Sequence, residues 1–216
     1  MTSDPAPSLH TITGEIVQRF EAMGAARDQA VFQGRQAIRL AANAVRAMHR
    51  DAFDEAEAML DEANDMLSQI VDATLPYPNV FWAGYVQDAM KEFAEASITL
   101  ALLRGDPLPD PERLAVEDAA YLNGLAEAAS ELRRDTLDAL RGNRIQRAES
   151  LMQSMDAIYS VLVTGDCPDA MTGGLRRNTD QLRAVLERTR GDVTIAVRQN
   201  RLEQALKAAE QRVAIG

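Results

Sequence analysis

Along most of this chain, apolar residues recur at alternating intervals of three and four positions. Such intervals are typical of an amphipathic α-helix, because they place the apolar side chains on one face. No segment alternates with the period of two that a half-buried strand needs. We therefore expect an all-α protein, a single-domain bundle of about six to seven helices. The predicted long helices span residues 11–50, 52–73, 79–104, 116–141, 145–163 and 175–213.

The segments outside these helices carry residues that start or end helices. Residues 1–10 are polar and contain prolines, so we expect a flexible N-terminal arm before a single helical domain at 11–216. The prolines of segment 76–78 predict an extended connection ahead of the third helix. Asp51 and Asp110 each precede a helical pattern and are predicted N-caps.

The amino-acid composition limits the possible folds, ligands and cellular location of the protein. The 216 residues carry a net charge of −10, with few aromatic residues and many Ala and Leu, which favours closely packed helices. A strongly acidic surface repels phosphates at long range, so any nucleic-acid site has to be locally positive. Cys167 is the only cysteine, which excludes an intrachain disulfide and a cysteine-rich zinc site. With no secretory signal and no apolar membrane segment in the sequence, we expect a cytoplasmic protein without a membrane partner.

Two predicted helices carry acidic residues at helical spacing. Glu127 and Glu131 lie four positions apart in the fourth helix, and Asp88, Glu92 and Glu95 lie at i, i+4 and i+7 in the third. The three acids of the third helix each precede an apolar position, so they border the buried face. Facing carboxylates suit Mg²⁺ or Mn²⁺, which can activate a water and neutralise charge on a phosphodiester. The alternative is an ordinary solvated acidic surface, and spacing alone leaves both interpretations open.

Few other residues are candidates for binding a metal ion or a nucleic acid. His10 and His49 have no Glu three residues before them, which argues against a ferritin-like di-iron site. His49 and Arg50 lie at the end of the first helix and are candidates for contacting nucleic-acid phosphates, with a solvated helix end as the alternative. Trp82 falls on the apolar face of the third predicted helix, so we expect it in the core, with stacking on a nucleobase as the alternative.

Several segments together resemble the translin family, and the similarity is nearest to its translin-associated factor X branch and its archaeal members. The resemblance extends over most of the chain, from about residue 25 to residue 206. The segments that carry it are KEFAEA (91–96), YLNGLAEAASELRR (121–134), the Pro-Asp-Ala segment (168–170), GLRRNTDQLR (174–183) and GDVTIAVR (191–198).

This resemblance implies an all-helical protein that assembles into a homo-octamer or another homo-oligomeric shell and binds single-stranded RNA, or DNA. The branch with the acidic motifs is a metal-dependent endoribonuclease whose active sites face the shell interior. By position in the motifs, Glu92, Glu95, Glu127 and Glu131 would be the catalytic residues and would hold Mg²⁺ or Mn²⁺. The family usually has Asp where this chain has Glu127, whose side chain is one methylene longer. The alternatives are a non-catalytic nucleic-acid-binding shell, as in the translin branch, and a helical scaffold protein.

Overall fold

The structure is a computed structural model that describes residues 6–165 and 167–215. Within these residues the chain forms nine α-helices and no strand, so the all-α prediction is confirmed. Six of the helices are long and correspond to the predicted ones, and three have four residues each. In chain order the helices are α1 (Ala6–Met48), α2 (Phe53–Thr74), α3 (Pro78–Phe81), α4 (Gly84–Arg104), α5 (Pro111–Leu114), α6 (Asp118–Arg141), α7 (Ile145–Thr164), α8 (Asp169–Thr172) and α9 (Leu175–Ile215).

Helix α6 lies at the centre of the bundle and packs against α4, α7 and α9, while α1 packs against α2 and α4. The core is built largely from Ala, Leu and Ile side chains. Small side chains at the contacts allow helix axes to approach closely. Helix α1 contributes a row of such residues, and all of its members are buried: Ala30, Ala37, Ala41, Ala44 and Ala47.

Helices α4 and α6 approach each other closely at Gly124 of α6. A Cβ atom at this position would lie 2.8 Å from the carbonyl oxygen of Lys91 and 2.9 Å from the backbone nitrogen of Glu95. Only glycine fits such a contact without movement of the α4 backbone. Gly124 therefore sets the distance between α4 and α6, the two helices that carry the acidic motifs.

The connections between helices differ in part from prediction. Asp51 is not the N-cap of α2: its φ of 59° places it in the left-handed turn that ends α1, and Ala52 takes the cap position. The predicted third helix is divided into α3 and α4, because Ala83 adopts an extended backbone with ψ of 146°. Asp110 is confirmed as an N-cap, since its carboxylate accepts a hydrogen bond from the backbone N–H of Arg113 at 2.7 Å.

The outer ends of the two longest helices, α1 and α9, are exposed. Residues 6–10 of the predicted arm form the start of α1, and residues 1–5 lie outside the described part of the chain. No helix among the described residues combines the length and apolarity that a membrane crossing requires. Large apolar residues nevertheless remain on the surface near these ends: Leu9, Ile12, Ile16, Val17 and Phe20 on α1, and Leu202, Leu206 and Val213 on α9.

Candidate metal centre

Three of the four predicted carboxylates meet where α4 and α6 cross. Glu92, Glu95 and Glu127 each offer one carboxylate oxygen, and these three oxygens all lie within 4.8 Å of one another. Glu92 and Glu95 come from successive turns of α4, and Glu127 lies one turn after Gly124, where α6 contacts the backbone of α4 closely. We refer to Glu92, Glu95 and Glu127 as the carboxylate cluster.

Glu95 is a partly buried member of the carboxylate cluster. Its burial, together with the charges of Glu92 and Glu127, raises its pKa to about 8, although the charge of Lys91 acts in the opposite direction. At neutral pH, Glu95 therefore holds a proton for most of the time. A divalent cation among the three side chains would favour the deprotonated form. Three carboxyl groups, of which Glu95 is neutral until an ion binds, form an oxygen donor set that fits Mg²⁺ or Mn²⁺.

Lys91 supplies a positive charge to the carboxylate cluster from within the chain. Its Nζ atom donates to Oε2 of Glu127 at 2.6 Å and lies 3.0 Å from Oε1 of Glu92. Burial by itself would lower the pKa of Lys91, but hydrogen bonds to the two carboxylates raise it above its usual value. Sequence reasoning missed this role, although Lys91 is the first residue of the KEFAEA motif.

Asn178 of α9 is a second hydrogen-bond donor to Glu127. Its Nδ2 group donates to Oε1 of Glu127 at 2.9 Å and to Oδ1 of Asn123 at 3.0 Å. Asn123 is buried, and its own Nδ2 group donates to the backbone oxygens of Thr172 at 2.6 Å and Ala119 at 2.8 Å. These bonds fix the orientation of both amides, so Glu127 is tied to α9 and to α8. The two asparagines lie in motif segments, but no property of their type indicated this role.

Glu131, the fourth predicted ligand, has a different partner. Its Oε1 atom is 2.6 Å from Nε2 of His49, whose Nδ1 atom lies 3.0 Å from Oδ2 of Asp135. The carboxylates of Asp135 and Glu131 raise the pKa of His49 to about 9, although burial acts to lower it. The hydrogen bond from His49 in turn lowers the pKa of Glu131. His49 is therefore a buried cation between two acids.

The two predicted phosphate-contacting residues do not form a joint basic surface. The side chain of His49 is only 2% exposed and both ring nitrogens face carboxylates, so a phosphate cannot reach it in this conformation. Arg50 is exposed, but its Nη2 atom lies 3.2 Å from Oε1 of Glu55. An ion pair between exposed side chains is weak, and Arg50 can exchange this partner for a phosphate.

Two cavities open beside the carboxylate cluster, and Glu127 lines both. One cavity lies along α9 and includes Glu95, Glu127, Glu131, Asn178 and Arg188 in its lining. The other has a volume of about 520 Å³ and includes Trp82, Asp88, Lys91, Glu127, Met171, Arg177 and Asn178. We call the second one the Trp82 cavity. The prediction that Trp82 belongs to the core is wrong, because 59% of this residue is exposed.

The fold and the carboxylate cluster define the class: an all-helical protein with acidic motifs meeting between two central helices. The chain is similar to the AfC3PO solved in a complex with duplex RNA (31% identity, TM-score 0.79, 85% of this chain and 95% of that chain). It is equally similar to AfC3PO in a separate crystal structure (31% identity, TM-score 0.78). The chain therefore belongs to the translin family, which includes the C3PO proteins.

More distant similarities agree with this assignment. The crystal structure of apo-NeC3PO shares the fold at 17% identity, with a TM-score of 0.77 over 85% of this chain and 96% of that one. An uncharacterized protein of Methanocaldococcus jannaschii is 28% identical over 193 residues, which cover 88% of this chain and 83% of the relative. No protein-family model matches the chain.

Proposed function

We propose that this protein is a metal-dependent endoribonuclease that cleaves phosphodiester bonds of single-stranded RNA inside a homo-oligomeric shell. The observation that carries the proposal is the carboxylate cluster, whose three oxygens lie within 4.8 Å of one another. Binding of RNA is supported by the similarity to AfC3PO, which was solved with duplex RNA. The three carboxylates lie in the motifs that resemble those of the nuclease branch of the family.

Glu92, Glu95 and Glu127 would hold Mg²⁺ or Mn²⁺, and Glu131 would join them after releasing His49. Bound there, the ion supplies an acidified water and neutralises charge on the phosphodiester. Glu95 would have to be deprotonated to act as a ligand, because its pKa is raised to about 8 in the metal-free protein. Asn178 orients Glu127 through a hydrogen bond to Oε1 at 2.9 Å, and Lys91 contacts Oε2 at 2.6 Å.

Local positive charge reconciles the acidic chain with an RNA substrate. Lys91 lies at the carboxylate cluster, Arg177 lines the Trp82 cavity, and Arg188 lines the cavity along α9. With a cation held by the carboxylates, the ammonium group of Lys91 would be available to a phosphate oxygen. Phosphate contacts of this kind make RNA affinity fall with rising salt concentration.

The test is cleavage of a labelled single-stranded RNA by the purified protein in Mn²⁺, in Mg²⁺ and with a chelator. Glu95→Gln removes a ligand charge with little change of shape, and Glu62→Gln is the matched control, since Glu62 is exposed on α2. We expect metal-dependent cleavage that Glu95→Gln abolishes and Glu62→Gln leaves unchanged. Cleavage that survives the chelator, or that Glu95→Gln retains, would refute the proposed site.

A second candidate is a shell that binds RNA without cleaving it. It is favoured by Lys91, which already neutralises Glu92 and Glu127 at 3.0 and 2.6 Å and so reduces the need for a metal ion. The same assay separates the two functions. RNA that binds the wild-type protein and stays intact in both metals would support the binding shell.

A further inference from the structure

Trp82 packs on one buried aromatic ring and leaves most of its own surface exposed. It directly follows α3, and its ring meets the ring of Phe81 edge-on, with centroids 5.1 Å apart and planes at 90°. Phe81 is buried, so this contact anchors the indole to the core. Trp82 itself is nevertheless 59% exposed, although tryptophan is usually among the most buried residues on average. An anchored, exposed indole is a preorganised stacking surface.

The surroundings of Trp82 combine apolar and positively charged groups. Met171, which is 73% exposed, lines the same cavity, and so do Lys91 and Arg177. Arg177 is exposed and forms no ion pair with any residue in the described part of the chain. Glu127 of the carboxylate cluster also lines this cavity. A planar apolar face, an available guanidinium group and a carboxylate of the candidate metal centre thus border one recess of about 520 Å³.

We propose that the Trp82 cavity is a nucleotide subsite in which Trp82 stacks on an unpaired nucleobase while Arg177 contacts a neighbouring phosphate. This subsite rests on the proposed RNA function and deepens it, because it would place a phosphodiester of the same strand near Glu127. Every base has a π-face, so stacking tolerates any sequence. Base faces inside a duplex are already covered by their neighbours, and the subsite therefore selects single-stranded RNA or an unpaired end.

The charged residues that line the Trp82 cavity favour a nucleic acid over a protein as its occupant. The core of a protein–protein interface is depleted of charged residues. The recess beside Trp82 instead carries Lys91, Arg177, Asp88 and Glu127. A nucleotide presents an aromatic face and a phosphate side by side, and it matches this pairing of indole and guanidinium.

The sequence offers a direct measurement, because Trp82 is the only tryptophan of the chain. The probe is a fluorescein-labelled oligoadenylate of about ten nucleotides, compared with a strand of equal phosphate number built from abasic units. Anisotropy measures binding in Mg²⁺ and in chelator, and tryptophan emission is recorded in parallel with the unlabelled strands. We expect oligoadenylate to quench the emission in step with binding. The abasic strand should bind more weakly and leave the emission unchanged.

Variants provide a second measurement by anisotropy. Trp82→Ala should weaken oligoadenylate binding about 5- to 100-fold, and Trp82→Phe should keep most of the affinity. Phe32→Ala is the matched control, since Phe32 is a 64% exposed aromatic residue on α1 that does not line the Trp82 cavity. Neither Phe32→Ala nor any Trp82 variant should change the affinity for the abasic strand.

The possible failures point to different conclusions. If oligoadenylate binds without changing the tryptophan emission, the subsite is refuted and the proposed function is unaffected. The same conclusion follows if Trp82→Ala binds oligoadenylate with wild-type affinity. Emission that is already blue-shifted and inaccessible to acrylamide before RNA is added would show that another subunit covers Trp82, which also overturns the subsite. If neither strand binds at all, both the subsite and the proposed function are refuted.

Discussion

Replacing Gly124 by alanine should push α4 away from α6 and weaken both the fold and the metal site. The new Cβ would lie 2.8 Å from the oxygen of Lys91, 2.9 Å from the nitrogen of Glu95 and 3.0 Å from Cβ of Ala94. Comfortable contacts of a carbon atom are about 3.3–4.0 Å, so the three distances have to grow by at least about 0.3–0.5 Å. Two of the three atoms belong to the backbone, and a change of rotamer cannot move them.

The expected change in the free energy of unfolding of Gly124→Ala is the sum of two opposing contributions. Overpacking a core usually costs about 1–3 kcal/mol, and backbone contacts belong at the upper end of that range. Alanine in place of glycine returns up to about 1 kcal/mol of helix propensity. We therefore expect a loss of about 2 kcal/mol in the free energy of unfolding. For a chain of this size the melting temperature should fall by about 4–8 °C.

The assay is thermal unfolding followed by circular dichroism at one fixed protein concentration, because assembly would couple to stability. The matched control is Gly191→Ala in α9, where an added Cβ meets nothing within 4 Å. The control should gain about 0.5–1 kcal/mol from helix propensity. A parallel Mn²⁺ titration should show weaker binding in Gly124→Ala and unchanged binding in Gly191→Ala. Wild-type stability and Mn²⁺ affinity in Gly124→Ala would refute the close crossing of α4 and α6.

Three further predictions concern the charged groups around the carboxylate cluster. Lys91→Met should lower the stability of the metal-free protein and increase Mn²⁺ affinity severalfold, because the cluster loses the cation that competes for Glu127 at 2.6 Å. Thermal unfolding in chelator would measure the first change and calorimetric titration the second, and a weaker affinity would contradict the competition. Asn178→Ala should reduce Mn²⁺ affinity about tenfold or more without loss of helix content, as expected for a residue that orients a ligand, and unchanged affinity would count against this role. His49→Gln should remove a pH-dependent part of the stability. Since the folded-state pKa of His49 is raised from 6.5 to about 9, its contribution is fully present below pH 6.5 and is lost as the pH rises through about 9. The difference between wild type and His49→Gln in the free energy of unfolding, measured by urea denaturation, should therefore shrink by on the order of 2–3 kcal/mol between neutral and strongly alkaline pH, and a constant difference would refute a cationic His49.

The long helices could be predicted from sequence because each buries one continuous apolar face. The division between α3 and α4 could not, since the apolar spacing continues across it from Trp82 to Val86. The extended backbone at Ala83 changes the direction of the chain there. As a result Trp82, which a single helix would have placed toward the core, lies on the surface.

The carboxylate cluster was predictable in part. The spacing of the acids on their helices and their place in the motifs brought Glu92, Glu95 and Glu127 together as candidates. The groups that control their charge were not predictable, because the contacts join residues far apart in the chain. Lys91 and Glu127 are 36 positions apart, and Asn178 and Glu127 are 51 apart. The partner of Glu131 is 82 positions away, and it proved to be His49.

The exposed outer part of α1 has a consequence for how this protein can be studied. With 43 residues, α1 is roughly 65 Å long, and its described side chains from 8 to 22 are all exposed. A helical segment that buries nothing is only marginally stable in water. Its backbone amides should therefore exchange with deuterium rapidly in an isolated chain and slowly once another molecule covers the apolar side chains from Leu9 to Phe20. Hydrogen exchange in this one segment thus reports the fraction of chains in which these apolar side chains are uncovered.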